Sequence, residues 1–271
     1  MKIPDFEILI STMNRTDLDF LHAMLKDDSP ETYHILIINQ TTKDKLLKST
    51  HKNIRVINAF EKGLSKSRNL ALKNAVGTIC LLADDDTCFI KGFDRVIQRA
   101  FQNYASAALI SFQVTTFEGG PYRNYPETPK ALTRKKDILP LSSVEIAFKR
   151  DAILRAGITF NELFGLGSYF EMGEEYLFAR DVLQSKLNID YVPEKIVKHS
   201  KVTSTSDYGN DKVLYANGAL TYMEHKKTAM FWLLKFVFFL ARKRFIRWNA
   251  FASKFRLGLK GMRDYKNLVS F

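Results

Sequence analysis

The chain has 271 residues, is 46% hydrophobic and 26% charged, and carries a formal net charge of +12. That is length enough for one large α/β domain with an appendage, or two small domains, while the apolar fraction excludes a disordered chain and aperiodic Gly and Pro exclude a fibrous one. Two cysteines, Cys80 and Cys88, exclude a disulfide framework and fit a reducing compartment, and acids inside the first apolar stretch, MKIPDFEILIST, argue against a secretory signal.

In chain order, the strand-like run FEILI (6–10) is followed by a helix-like stretch over 17–27, ILII (35–38) and RVI (55–57). A helix is predicted from Ser65 to Asn74. The apolar strand TICLLA (78–83), a helix over 92–104 and the strand ALISFQV (108–114) come next. Such alternation predicts a mostly parallel sheet with helices on its faces, and in such sheets ligands bind beyond the carboxyl ends of the strands. The segment EGGPYRNYPETPK (118–130) reads as a long, candidate mobile loop before a more irregular second half.

Polar residues that follow the strands carry the chemistry. Asp84, Asp85 and Asp86 directly follow TICLLA. Three adjacent carboxylates repel one another, so they are tolerated best with a cation nearby. A solvated acidic turn is the structural alternative. Hard oxygen donors suit Mg²⁺ or Mn²⁺, bound through one or two carboxylates plus substrate phosphates. Upstream, GLSKSRNLAL (63–72) puts Lys66 and Arg68 in the first turn of a helix, where cations oppose the dipole. They are either ordinary surface charge or, at Arg68, a group facing an anionic ligand. Glu174 and Glu175 follow the glycines 165, 167 and 173 and open a helix. They either complement its dipole or serve as a general base beside a hydroxyl-binding acid. His199, after IDYVPEKIVK, is by itself more often structural than a ligand, and gains interest only from a metal argued for elsewhere.

The order ISTMNR, ILIINQTT, GLSKSRNLAL, LLADDDT, GEEYLFARDV and VKHS resembles that of the inverting family 2 glycosyltransferases of GT-A fold that build bacterial polysaccharides. The resemblance covers roughly residues 5–205. It implies a Rossmann-like α/β catalytic domain over 1–215, with a nucleotide-sugar half to about 115 and an acceptor half to about 215. On the matching positions it implies that Ser11, Thr12 and Asn14 cradle the nucleotide, that Asn39 and Gln40 stand where the base is read, and that Arg68 lies near the phosphates. Asn39 and Gln40 replace an acidic pair common in the family. Asp84 and Asp86 match the outer members of the family's DxD motif, which puts Asp84 beside the ribose, Asp85 with it among the nucleotide-sugar-binding residues, and Asp86 and His199 on an Mn²⁺ or Mg²⁺ ion. Glu175, where the family usually has aspartate, is the implied base, with Glu174 and Gly167 toward the acceptor. The implied activity moves a sugar from a nucleoside-diphosphate sugar, UDP-linked by preference, to a glycan or lipid-linked glycan. The alternatives are a sugar nucleotidyltransferase and a non-catalytic membrane or polyanion-binding module.

The basic charge is local. Residues 226–271 hold twelve Lys and Arg against Asp264 alone, so +11 of the +12 lies there. The apolar run 228–241 contains Lys235 and is too short for a confident membrane span. On a helix Phe245, Trp248, Ala252, Phe255, Leu259 and Met262 share a face, with Lys243, Arg247 and Lys254 opposite. This predicts a helical, basic-aromatic extension over 216–271 that meets an anionic membrane surface through 228–263, placing a cytoplasmic protein peripherally on the inner face. The competing expectation packs Phe231, Trp232, Phe236 and Phe239 into the catalytic domain. Nucleic acid is excluded as a partner, because a dense apolar run serves no purpose against phosphates.

Overall fold

The computed structural model describes residues 5–200 and 208–270. The chain forms two compact units, residues 1–161 with 175–201, and residues 162–174 with 202–271.

In the first unit, β1 (Phe6–Met13) is buried on both faces over all but its last residue, with Phe6 and Ile8–Ile10 apolar as a strand inside a parallel sheet requires and the buried Glu7 carboxylate answered by Arg55 and the Gly77 amide. α1 (Phe20–Met24) follows, a single turn where a longer helix was expected. β2 (Ile35–Gln40), β3 (Ile54–Ala59), α2 (Leu64–Asn74) and β4 (Ile79–Asp84) complete a parallel half with strand order β3-β2-β1-β4. Its register aligns Ser11 with both Ile38 and Asp84, and Thr12 with Asn39. The polar residues at 11–14, 39–40 and 84–86 therefore emerge together at the carboxyl edge of these strands.

Beyond β4 come β5 (Cys88–Phe89), α3 (Phe93–Asn103), β6 (Ala107–Thr115), β7 (Lys130–Ala131), α4 (Lys135–Ile138), β8 (Ile146–Lys149), α5 (Arg150–Arg155), α6 (Glu174–Gln184) and β9 (Asn188–Lys198). β8 lies antiparallel between β4 and β6, β9 pairs parallel with β6, and β5 and β7 pair antiparallel with β9. The parallel character expected of the whole sheet thus holds for β1 to β4, and the remainder is mixed. The connection between β6 and β8 has no crossover helix, only the four-residue α4, so β8 returns beside β6 in the opposite sense.

The segment 118–130, expected to be a mobile loop, is tied down. Tyr125 donates to Glu145 Oε2 at 2.8 Å and accepts from the Val114 amide at 3.1 Å, and Tyr191 donates to the Pro126 carbonyl at 2.9 Å.

The second unit contains α7 (Asp211–His225), α8 (Ala229–Arg242) and α9 (Phe251–Val269). Asn210 caps α7, accepting from the Lys212 amide. The expected boundary between 215 and 216 falls inside α7. Leu214, Leu233, Val237, Leu240, Ala241 and Ile246 form a small core, and Phe255, Leu259 and Met262 pack against it. Those three α9 residues therefore serve the core of this unit and not the membrane-facing stripe expected of them. Among the described residues no helix is long and apolar enough to cross a membrane.

α7 and α9 approach backbone to backbone at glycines. A Cβ on Gly261 would sit 1.9 Å from the Tyr215 carbonyl oxygen, and one on Gly218 1.9 Å from that of Gly258. Neither backbone oxygen can swing aside as a side chain does, so the helices themselves must separate. Gly261→Ala is therefore expected to destabilise the protein by about 1–3 kcal/mol, the usual cost of overpacking, as a lowered urea midpoint will show. An unchanged midpoint would refute this packing.

Candidate active site

Gly63, with φ of +128°, turns the chain into α2, and its amide donates to Gln40 Oε1 at 2.7 Å. Ser67 donates to the Ser11 hydroxyl at 2.9 Å, locking α2 against β1. Arg68, one turn into the helix, is only 2% exposed. Its guanidinium reaches Asp84 Oδ1 through Nη2 and Glu175 Oε1 through Nη1, each at 3.3 Å, and lies over the Phe160 ring at 5.6 Å. The cation that opposed the helix dipole is held by two carboxylates, one at the end of β4 and one in the first turn of α6. Arg68 is thus not ordinary surface charge.

The three consecutive aspartates diverge, each to its own cation. Asp84 takes Arg68 on one oxygen and the Ser143 hydroxyl on the other at 3.2 Å. Asp85 accepts from the Thr12 hydroxyl and from Arg15, whose Nε and Nη2 both lie at 2.8 Å. Asp86 Oδ1 meets His199 Nε2 at 3.3 Å. The hydrogen bond and charge of His199 hold the Asp86 carboxyl below its usual range. Burial opposes the charged form of His199, but the Asp86 carboxylate outweighs it and raises the ring's pKa. Of the two readings of this acidic turn, the merely solvated one does not describe it.

Among the described residues no three His, Cys, Asp or Glu side chains converge as a metal cage. Asp86 and His199 are the pair whose donors suit a divalent cation. Asp86 is 65% exposed on its side chain and has oxygen to offer. His199 Nδ1 donates to the Ser200 carbonyl at 2.8 Å, leaving Nε2 toward Asp86, as the second nitrogen of a metal-bound imidazole is usually held. Two protein donors fit Mg²⁺ or Mn²⁺ where phosphate oxygens and water complete the shell.

Ser11 and Thr12 are buried, their hydroxyls spent on Ser67 and Asp85. Asn14 is exposed, with φ of +56°, and its amide donates to the Gln40 carbonyl at 2.9 Å. Asn39, expected to face a base, has no exposed surface. Its Oδ1 accepts from the Arg15 amide, and its Nδ2 donates to the Arg15 carbonyl and to Asn58. Asn39 and Gln40 therefore hold the β1 loop and the start of α2 from beneath. That employment of both amides corrects the direct contact expected of Asn39.

Glu175 is part-buried beside Arg68, and Glu174 is buried. Gly167 lies in the other unit, in a turn closed by Ser168 donating to the Gly165 carbonyl, with φ of +75°. Gly165 and Phe170 bond backbone to backbone around it.

Arg15, Ser143 and Glu145 escape sequence reasoning. Glu145 is fully buried and accepts from Arg123, Tyr125 and Ser111. It ends the turn that carries Ser143 to Asp84, and Arg123 and Tyr125 belong to the loop whose Tyr122 stands edge-on to the His199 ring, 5.8 Å between centroids. Burial pushes the Glu145 carboxyl above its usual range, and Arg123 pulls it back. The one sequence signal for Glu145 is an acid set directly between Val144 and the apolar start of β8, Ile146–Phe148.

The mixed sheet with helices on its faces, and its acidic turn at the carboxyl end of β4, match the GT-A class of transferase folds. The family model described as glycosyl transferase family 2 matches residues 7–158, more than half of the chain, and the chain belongs to that family. It is a glycosyltransferase. Among solved structures, residues 1–349 of TarS from S. aureus in complex with UDP-GlcNAc align with a TM-score of 0.61 at 17% identity, over 97% of this chain and 81% of that one. The longer S. aureus TarS structure aligns with a TM-score of 0.58 at 18% identity, and this chain spans 49% of its length. The TarS 1–349 complex with UDP aligns with a TM-score of 0.56 at 20% identity, over 92% of this chain and 75% of that one. At these identities the likeness is one of fold. No curated protein matches the chain.

Removing one partner of a buried ion pair strands the other. Arg123→Met is expected to cost about 3–5 kcal/mol in urea unfolding, and Glu145→Gln added to it to recover part of that loss. A double variant no more stable than the single one would contradict the pairing.

Proposed function

We propose that the protein is a metal-dependent, inverting glycosyltransferase that moves a sugar from a UDP-sugar to a hydroxyl of a glycan or lipid-linked glycan in polysaccharide or capsule synthesis. The observation that carries the proposal is Arg68, buried between Asp84 at the donor edge and Glu175. The binding of UDP-GlcNAc by TarS, a protein of the same fold, supports the donor class.

In this mechanism Glu175 accepts the proton of the acceptor hydroxyl while that oxygen attacks the anomeric carbon. One carbon–oxygen bond forms on the face opposite the departing group. The bond from the anomeric carbon to the diphosphate breaks, and its electron pair leaves on the nucleotide. Arg68 fixes the direction of the Glu175 carboxylate, and a positioned base of this kind contributes typically 10²–10⁴-fold. Asp86 and His199 would hold a divalent ion, which when bound supplies Lewis-acid stabilisation of the charge developing on the diphosphate. Asp84, braced by Arg68 and Ser143, and Asp85, braced by Arg15 and Thr12, border the nucleotide without needing to rearrange. Glu174 and Gly167 are assigned to the acceptor side. The cationic C-terminal segment favours a cytoplasmic enzyme held peripherally at the inner face of the membrane, where lipid-linked acceptors lie.

Glu175→Gln is expected to bind the sugar nucleotide normally while transfer falls by about two to four decades. Near-normal turnover in that variant would sink the assignment. Asp86→Ala is expected to abolish the Mn²⁺-dependent part of donor binding in calorimetry, and equal donor affinity with and without Mn²⁺ in the wild-type protein would contradict the metal. Release of UDP, as opposed to pyrophosphate, separates transfer from the nucleotidyltransferase alternative.

A further inference from the structure

α8 is apolar on two faces, and the second unit covers only one of them. Leu233, Val237, Leu240 and Ala241 face its core, whereas Met230, Phe231, Leu234, Phe238 and Phe239 are between 44% and 64% exposed. Trp248, in the turn before α9, is 60% exposed and lies against Phe238 at 5.7 Å between ring centroids, so it extends the same surface. Of the residues expected to pack inward, Phe231, Trp232 and Phe239 instead point outward. A contiguous apolar surface of this kind marks a contact site.

We infer that this outer face of α8, continued by Trp248, is a docking surface that enters the interfacial region of an anionic lipid bilayer with the helix lying flat. The inference deepens the peripheral location proposed above by assigning it to particular side chains, and it does not depend on the transfer chemistry. Charge selects the occupant. Residues 226–263 contain eleven Lys and Arg and no acid. A second copy docked face to face would bring these cations against their own images, whereas anionic headgroups neutralise them. Nucleic acid would neutralise them too, but leaves the aromatic face in water. Lys235 lies over the Trp232 ring at 4.8 Å, its apolar stem along the face, as lysines are held at a membrane interface. At fourteen residues α8 is about 21 Å long, shorter than the roughly 30 Å hydrocarbon layer, which suits a helix lying in the interface.

Both tryptophans of the chain, Trp232 and Trp248, belong to this region, so tryptophan emission, excited at the red edge where tyrosine does not absorb, reports on it alone. The full chain is titrated with vesicles of equal parts phosphatidylglycerol and phosphatidylcholine, and with phosphatidylcholine vesicles as the uncharged arm. The expected result is a blue shift of tryptophan emission and quenching by brominated lipid with the anionic vesicles. The double variant Phe231→Ser/Phe238→Ser, altered only at exposed positions, is expected to partition at least about tenfold more weakly. Lys243→Glu/Arg247→Glu keeps every aromatic group and is expected to weaken partition as well. Binding without a blue shift, or undiminished binding by the serine variant, would reduce the contact to surface adsorption by charge and overturn the inference. A blue shift that grows with protein concentration in the absence of vesicles would assign the face to a second copy and overturn it too. Nucleotide release on a soluble acceptor reads the transfer reaction separately, so either reading can fail without the other.

Discussion

A guanidinium withdrawn from water needs anions, and Arg68 has two of them from segments 91 residues apart in the chain: Asp84 and Glu175. The pairing explains how the acidic turn after β4 exists at all. Three consecutive carboxylates cannot share one small volume, and the fold gives each a different cation: Arg68, Arg15 and His199. Those cations come from α2, the loop after β1 and the residue after β9, so satisfying the aspartates draws three distant segments to one edge of the sheet. The electrostatic solution and the assembly of the site are the same event.

Much of this was legible in the sequence. The strands at 6–13, 35–40 and 79–84 follow from their apolar runs, and the rule that ligands meet the carboxyl ends of such strands directed attention to Ser11, Asn39 and Asp84. The anomaly of Arg68, a cation in the wrong turn of a helix, pointed to an anionic partner, although that partner is protein carboxylate in the folded chain. The rest was hidden for physical reasons. Arg15 closes the motif ISTMNR, but a loop arginine has no periodicity, so nothing local points to Asp85 as its partner. The Gly- and Pro-containing segment 118–130 reads as filler unless its Arg123 and Tyr125 are known to meet Glu145. Asn39 carries a residue type suited to reading a base, yet full burial turns it into a support for the loop above.

The C-terminal unit teaches a different limit. Helical spacing placed a single apolar stripe along α9, but α9 spends Phe255, Leu259 and Met262 on its own small core, and the glycine contacts with α7 set how closely it can lie. The uncovered apolar face falls on α8, whose sequence is apolar around most of its circumference and carries only Lys235 before its last residue, Arg242, too little polarity to mark which side is outward. Periodicity identifies a face only when the other face is polar. The separation of charge along the chain is nonetheless real, with a nearly neutral catalytic body and a tail holding +11.

One positioned base and one displacement leave a stereochemical record. With the sugar nucleotide that most stabilises the protein against thermal unfolding, proton NMR of the first-formed product reads the anomeric coupling directly. The account predicts a configuration opposite to that of the donor. A product that retains the donor configuration would require a second displacement, and would contradict Glu175 acting as base from the position that Arg68 holds.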